Sequence, residues 1–284
     1  MRCVTREAPA KINLGLQVVG RRPDGYHELV TVLQTIELSD TVTVEPAATI
    51  EGQPSLLGLA AGDDLALRAA HLFQTNTRHE DGAHVAVEKR IPAAAGLGGG
   101  SSDAAAVLVA INELWGTGAD RDDLERVASA IGADVPFLLR GGTQFATSRG
   151  DELRDLPSAP MRHVLLVRPH IELATAEVYM ELRPSEWSDG TATNTLAGAI
   201  SEGQLPTDVM RNDLKNAAVR LAPEIDEILT ALQAAGAQPA LMAGSGATCY
   251  GLFTEEAEAQ SAQQQLSLPD CWTHLTRFLP AKPG

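Results

Sequence analysis

Residues 92–103 read Pro92-Ala93-Ala94-Ala95-Gly96-Leu97-Gly98-Gly99-Gly100-Ser101-Ser102-Asp103, and an unbroken apolar run, Ala104–Ile111, follows at once. Four glycines fall within five residues, directly before a helix that the apolar run predicts over Asp103–Trp115. Glycine lets a backbone come close to a ligand and take positive φ. A helix start adds unpaired N–H groups and the positive end of the macrodipole. Together these make an anion cradle, to which Ser101 and Ser102 add hydroxyl donors. A flexible linker is the competing reading, but a linker has no need to abut an apolar helix. Two familiar phosphate loops do not fit. No lysine follows the glycines, as G-x-x-x-x-G-K-[ST] demands, and the sixth position counted from Gly96 is Ser101 rather than Gly or Ala. The glycines indicate a phosphate without saying which enzyme.

Upstream, Ile12, Leu14, Leu16 and Val18 alternate within Ala10–Val19 and predict a half-buried strand, with Lys11, Asn13 and Gln17 on its other face. Arg21–Gly25 is a turn signal. Leu29–Leu38, Thr41–Glu45 and His84–Arg90 predict strands, and Asp64–Phe73 a helix. Downstream, Asp120–Ile131 predicts a helix, with Asp120 as N-cap and Gly132 as a left-handed stop. Asp134 is placed either to cap a next helix, with Pro136 in its first turn, or to do chemistry. Gly141-Gly142 and Ser148-Arg149-Gly150 loosen the chain, which places a boundary near 150–160 and predicts domains at 1–155 and 156–284. Beyond it come strands at Val164–Val167, Leu241–Ala243, Thr248–Phe253 and Trp272–Leu279. Helices are predicted at Thr175–Leu182, Pro223–Ala235 and Glu255–Leu266. This irregular mixture predicts an α+β fold.

The whole chain has 284 residues, 44% hydrophobic and 21% charged, which excludes general disorder, collagen and coiled coil. The eight-residue apolar run is far short of a membrane span of roughly 18 residues. Arg2, Arg6, Glu7 and Lys11 interrupt the first dozen residues, so no secretory signal is evident. A net charge of −15 argues against nucleic acid or an anionic membrane as the main partner, yet leaves room for a small anion held by amides. Cys3, Cys249 and Cys271 are scattered and odd in number, neither a disulfide framework nor a zinc site, so a cytoplasmic location is expected. His79 and His84 are five apart with Gly82 between them, which defeats the helical H-E-x-x-H geometry; residues 79–84 read as a loop.

Two further stretches invite chemistry. Tyr26-His27, beside the turn, suits stacking on a ring and hydrogen bonding to it, or simple packing. Leu241–Phe253 sets Gly244-Ser245-Gly246 between two apolar strands. Taken in order, Pro9-Ala10-Lys11-Ile12-Asn13-Leu14, the stretch from Pro92 to Ala105, and Met242-Ala243-Gly244-Ser245-Gly246-Ala247 resemble the three motifs of the GHMP kinases, the superfamily of galactokinase and of the homoserine, mevalonate and phosphomevalonate kinases. Asp24-Gly25-Tyr26-His27-Glu28-Leu29, the triple glycine before Ser-Ser, and Gly132-Ala133-Asp134-Val135-Pro136 resemble the branch that phosphorylates a 2-hydroxyl on a cytidyl-bearing sugar alcohol.

The resemblance implies an α+β, two-domain fold, ribosomal-S5-like in its N-terminal, ATP-binding part and ferredoxin-like in its C-terminal, substrate-binding part. It implies ATP and Mg²⁺ as cofactors and a small-molecule partner, with no nucleic acid or membrane, in a monomer or weak homodimer. Lys11 and Asp134 match the catalytic pair. Pro92, Ala93, Ala94, Ala95, Gly96, Leu97, Gly98, Gly99, Gly100, Ser101 and Ser102 match the ATP phosphate loop. Asn13, Tyr26 and His27 match the substrate site, with Tyr26 stacking on cytosine and His27 hydrogen-bonding it; Thr175 and Tyr179 fall where the family has a hydroxyl and a second aromatic. Metal ligands are not indicated. Two departures stand out: Asp64, where an Asn is expected near the adenine, and Ala93–Ala95, where the family has Gly or Met. The rival readings are another GHMP kinase, of homoserine or mevalonate type, a non-catalytic ligand sensor of the same fold, and a nucleotide-binding structural module.

Overall fold

The computed structural model describes residues 3–53, 63–266, 268 and 270–281. They form two compact units, which do not follow chain order. The first comprises residues 1–10, 38–93 and 98–140, the second residues 11–37, 94–97 and 141–284. This division differs from the expected one at residue 155. Two long strands, β1 (Val4–Arg21) and β2 (His27–Ala47), give one end to each unit. The expected strands Leu29–Leu38 and Thr41–Glu45 are thus a single strand. The polar Ser39-Asp40 between them looks like a break in sequence but stays within the strand, with the Asp40 carboxylate buried.

In the first unit, β3 (Glu51–Gly52) runs parallel to β4 (Gly82–Glu88), and β4 pairs antiparallel with residues 41–47 of β2. The stretch expected to be a loop over 79–84 is loop only as far as Asp81. Among the described residues, these strands are accompanied by α1 (Leu65–Thr77), α2 (Gly99–Trp115), α3 (Arg121–Ile131) and α4 (Val135–Arg140). Helix α2 is their hub, packing on α1, α3, α4 and β4. Its buried residues are mostly small, Ala104, Ala105, Ala106 and Ala110 with Val107, Leu108 and Ile111, so neighbours approach it from several sides. The Asp120 side chain caps α3 by accepting the Asp123 amide at 3.0 Å, as expected. Gly132 does not take the left-handed stop: its φ is −178°, extended backbone open to any residue.

In the second unit, β5 (Thr143–Ser148) pairs antiparallel with residues 29–34 of β2 and with β6 (Glu152–Asp155). A separate antiparallel sheet has the order β10-β7-β9-β8, built from β7 (His163–Pro169), β8 (Ala240–Met242), β9 (Cys249–Phe253) and β10 (Cys271–Arg277). Helices α5 (Thr175–Glu181), α6 (Thr191–Ser201), α7 (Lys215–Leu221), α8 (Glu224–Ala234) and α9 (Glu256–Gln265) belong to the same unit. Leu165, Val167, Ile225, Ile228, Leu229, Leu232 and Phe253 join strands to α8 in one apolar core, which also takes in Leu16 and Val18 of β1. Among the described residues no helix is long and apolar enough to cross a membrane.

Candidate functional site

The glycine stretch forms a tight loop that leads straight into a helix. Ala94, Gly96 and Gly98 have φ of +48°, +74° and +72°. Helix α2 begins at Gly99, four residues earlier than expected, so the last two glycines and both serines are its first turn. Gly98 stands at the N-cap and provides no side-chain acceptor. The first amides of α2 therefore have no partner within the helix and point where an anion is best held. The Ser102 hydroxyl is buried and donates to Pro9 O at 2.7 Å, so Ser101, half-buried, is the serine left to face a ligand.

Behind this turn, in the first unit, lies a buried ion triad that the sequence reading did not single out. Lys89 Nζ donates to Asp40 Oδ2 at 2.5 Å and to Asp103 Oδ2 at 2.6 Å. The other oxygen of Asp40 accepts the amides of Arg90 and Ile91, just ahead of Pro92. The triad therefore ties the chain ahead of the loop to the helix after it. Burial pushes the Asp103 carboxyl up to about 7, against the pull of Lys89, and its Oδ1 has no hydrogen-bond partner. Burial alone would lower the Lys89 ammonium, but Asp103 and Asp40 outweigh it and the net shift is upward. Asp134, also in this unit, sits half-buried in the turn before α4, and its carbonyl accepts the Leu138 amide at 3.1 Å. Asp64 is the N-cap of α1, accepting the amides of Ala66 and Leu67 at 2.9 and 3.1 Å. Its departure from the expected Asn has this local use.

The second unit brings three distant stretches together. The Lys11 amide donates to Leu97 O at 2.9 Å. A Cβ on Gly96 would stand 2.2 Å from Ala243 O and 2.9 Å from Gly246 O; one on Gly244 would stand 3.0 Å from Gly96 O and 3.2 Å from Lys11 Nζ. Backbone thus lies on backbone, and only glycine fits at Gly96. Lys11 and Asn13, expected on a strand face, are buried. Lys11 Nζ donates to Asn13 Oδ1 at 3.0 Å, Asn13 Nδ2 to Thr31 Oγ1 at 2.9 Å, and Thr31 Oγ1 to Gly15 O at 2.6 Å. Tyr250, fully buried, donates its hydroxyl to Asn13 O at 2.7 Å, and burial drives its pKa far up, so it remains a donor.

Two of the aromatic candidates, His27 and Tyr179, also meet within this unit. His27 stacks on Tyr179 with ring centroids 5.1 Å apart and meets Trp187 edge-on at 6.1 Å. Burial, and then the Arg21 charge, lower the His27 pKa, so its imidazole is neutral near pH 7 and has one donor and one acceptor. Tyr26, next in the chain, is 59% exposed. Thr175 Oγ1 lies 2.9 Å from Ser245 Oγ. Sequence reasoning missed Asn212 and Asp213. Asn212 Nδ2 donates to Met242 O and Gly244 O at 2.8 Å each, holding the glycine turn. Asp213 accepts the Val18 amide at 2.9 Å and the Ser188 hydroxyl. The only local signal was an Asn-Asp pair ahead of a helix.

Comparison with known proteins shows the family. The family description "GHMP kinases N terminal domain" matches residues 64–142, and "GHMP kinases C terminal" matches residues 195–269. A 4-diphosphocytidyl-2-C-methyl-D-erythritol kinase of Syntrophomonas wolfei is 39% identical over 270 residues, covering 93% of this chain and 94% of its own. A crystal structure of a 4-(cytidine 5'-diphospho)-2C-methyl-D-erythritol kinase superposes with a TM-score of 0.83 at 36% identity, covering 96% of this chain and 98% of that one. A homoserine kinase from Cytophaga hutchinsonii reaches a TM-score of 0.75 at 19% identity over 100% of this chain and 96% of its own, a likeness of fold alone. The expected α+β, two-domain GHMP architecture is the one found, and the chain belongs to the 4-diphosphocytidyl-2-C-methyl-D-erythritol kinase family of the GHMP kinases.

Proposed function

We propose that this enzyme transfers the γ-phosphoryl group of ATP to the 2-hydroxyl of 4-diphosphocytidyl-2-C-methyl-D-erythritol, in the non-mevalonate route to isoprenoid precursors. One observation supports this acceptor above all: His27, neutral near pH 7, lies stacked on Tyr179 beside the exposed Tyr26, a frame suited to a flat base with polar edges. Homoserine and mevalonate have no such ring.

Phosphoryl transfer is mostly positioning and charge stabilisation. In this reading the loop Pro92–Ser102 holds the ATP phosphates through the amides at the start of α2. Asp134 accepts the proton of the 2-hydroxyl. A carboxylate is a weak base, which suffices when the transition state is loose and the proton leaves late. Lys11, fixed by Asn13, offsets negative charge at the reacting centre. Asn13, Tyr26, His27, Thr175 and Tyr179 bind the acceptor, Tyr26 stacking on its cytosine and His27 hydrogen-bonding the ring edge. ATP binding is assigned to residues 1–155 and completion of the acceptor site to residues 156–284. Mg²⁺ would supply charge neutralisation on the β- and γ-phosphates. Among the described residues no group of three or more His, Cys, Asp or Glu side chains is arranged to hold a metal. Cys3, Cys249 and Cys271 are all free thiols, in keeping with a reducing cytoplasm.

The test is ADP release with Mg-ATP and, in parallel, the cytidyl acceptor, homoserine or mevalonate. Turnover with the cytidyl compound alone is expected. Turnover with either of the others instead would remove the acceptor assignment and leave the fold and loop intact.

A further inference from the structure

Two turns of the second unit are stitched together by side chains not assigned above. One, at residues 22–26, joins β1 to β2 and carries Tyr26; the other, at residues 149–151, joins β5 to β6. Arg22 donates to Ser148 Oγ at 2.7 Å, to Glu28 at 3.0 Å and to Asp24 at 3.2 Å, and Asp24 in turn accepts the Tyr26 amide at 3.1 Å. Ser148 has φ of +65°, a conformation unusual for a residue with a Cβ, so the turn that follows is held in a specific shape. Arg149 is fixed within it. Its guanidinium donates to Asp151 Oδ2 at 3.1 and 2.7 Å, and its amide donates to Asp151 Oδ1 at 3.2 Å. Anchored there, the guanidinium lies 5.3 Å from the centroid of the Tyr26 ring, within cation–π range.

An exposed tyrosine has little packing to set its ring, and a ring that must stack on a base loses affinity whenever it turns away. A cation fixed over one face supplies the missing restraint and leaves the opposite face for the ligand. We infer that Arg149 is a positioning residue for acceptor recognition: held by Asp151, it presets the Tyr26 ring against which the acceptor's base stacks. This rests on the assignment of Tyr26 to the acceptor site. Arg149 has no part in the phosphoryl transfer itself.

The test is steady-state kinetics on the full-length enzyme with Arg149→Ala, Arg149→Lys, Tyr26→Ala and the Arg149→Ala/Tyr26→Ala double variant. Arg149→Ala should raise KM for the cytidyl acceptor by about two- to fivefold, the worth of an exposed cation–π contact, with kcat and KM for ATP unchanged. Arg149→Lys, which keeps a cation, should stay nearer the wild type. In the Tyr26→Ala background, removing Arg149 should have no further effect. If Tyr26→Ala itself leaves the acceptor KM unaltered, the assignment of Tyr26 falls and this inference with it. If Tyr26→Ala raises that KM but Arg149→Ala does not, or acts equally in both backgrounds, or matches Arg149→Lys, Arg149 has no positioning role and the assignment of Tyr26 stands.

Discussion

Replacing Asp103 by Asn should reverse part of the enzyme's pH dependence of stability. Asp103 shares one cation, Lys89, with Asp40, and its carboxyl is pushed up from the ordinary 3.8 to about 7, chiefly by burial. The folded protein therefore holds this proton more tightly than the unfolded chain. Stability from this group is complete below 3.8 and is lost as pH rises through about 7. Between about pH 5 and about pH 8, the unfolded carboxyl is ionised throughout while the folded one gives up its proton late, which costs on the order of 2 to 3 kcal/mol. Asn keeps the shape and cannot ionise, so it removes this slope while titrating groups outside the triad cancel in the comparison. A chain of this size shifts by about 2–4 °C per kcal/mol. The Tm of Asp103→Asn minus that of the wild type should thus rise by roughly 5–10 °C from about pH 5 to about pH 8. Thermal unfolding followed by circular dichroism in both buffers measures it. A Tm difference that is the same at both pH values would refute the reasoning, because Asp103 would then ionise alike in both states.

Other expectations concern chemistry and backbone. Asp134→Ala should lower kcat by at least about 10²-fold with ATP affinity by calorimetry kept; near-normal turnover would remove Asp134 from the catalytic pair. Gly96→Ala places a methyl 2.2 Å from Ala243 O at a φ of +74°. It should cost about 3 kcal/mol or more, read as a lower Tm or as insoluble expression; a variant as stable as the wild type would mean that these two backbones separate at no cost.

Much of the candidate site was legible because its residues sit in short motifs whose chemistry is local. The glycine cradle, the strand carrying Lys11 and Asn13, and the Tyr-His pair beside a turn could each be read in a window of a dozen residues. What escaped depends on tertiary contact. Asn212 serves Met242 and Gly244 across 30 residues of chain, and no periodicity encodes that. Lys89, one of only four lysines, looked like the end of a strand until Asp40 and Asp103 were seen to close on it. The helices read weakly or missed have similar causes. Helix α4, offered only as one alternative for Asp134, is six residues long, too short for a period, and α6, Thr-Ala-Thr-Asn-Thr-Leu-Ala-Gly-Ala-Ile-Ser, missed altogether, is rich in weak helix formers that packing overrides. The early start of α2 has the same origin: three glycines in or at its first turn disfavour helix locally, yet Leu97, buried beside them, and the buried face from Ser102 onward fix the chain in place.

The backbone contact between Gly96 and the Ala243–Gly246 turn bears on how such a site can change over time. Two stretches about 150 residues apart in sequence share one surface with no side chain between them. Neither can gain a methyl group or a residue of length unless the other gives way in the same step. The loop and the turn should therefore be inherited as a single unit. A chimera that imports another kinase's glycine loop by itself should fail to fold, whereas one that imports loop and turn together keeps the fit.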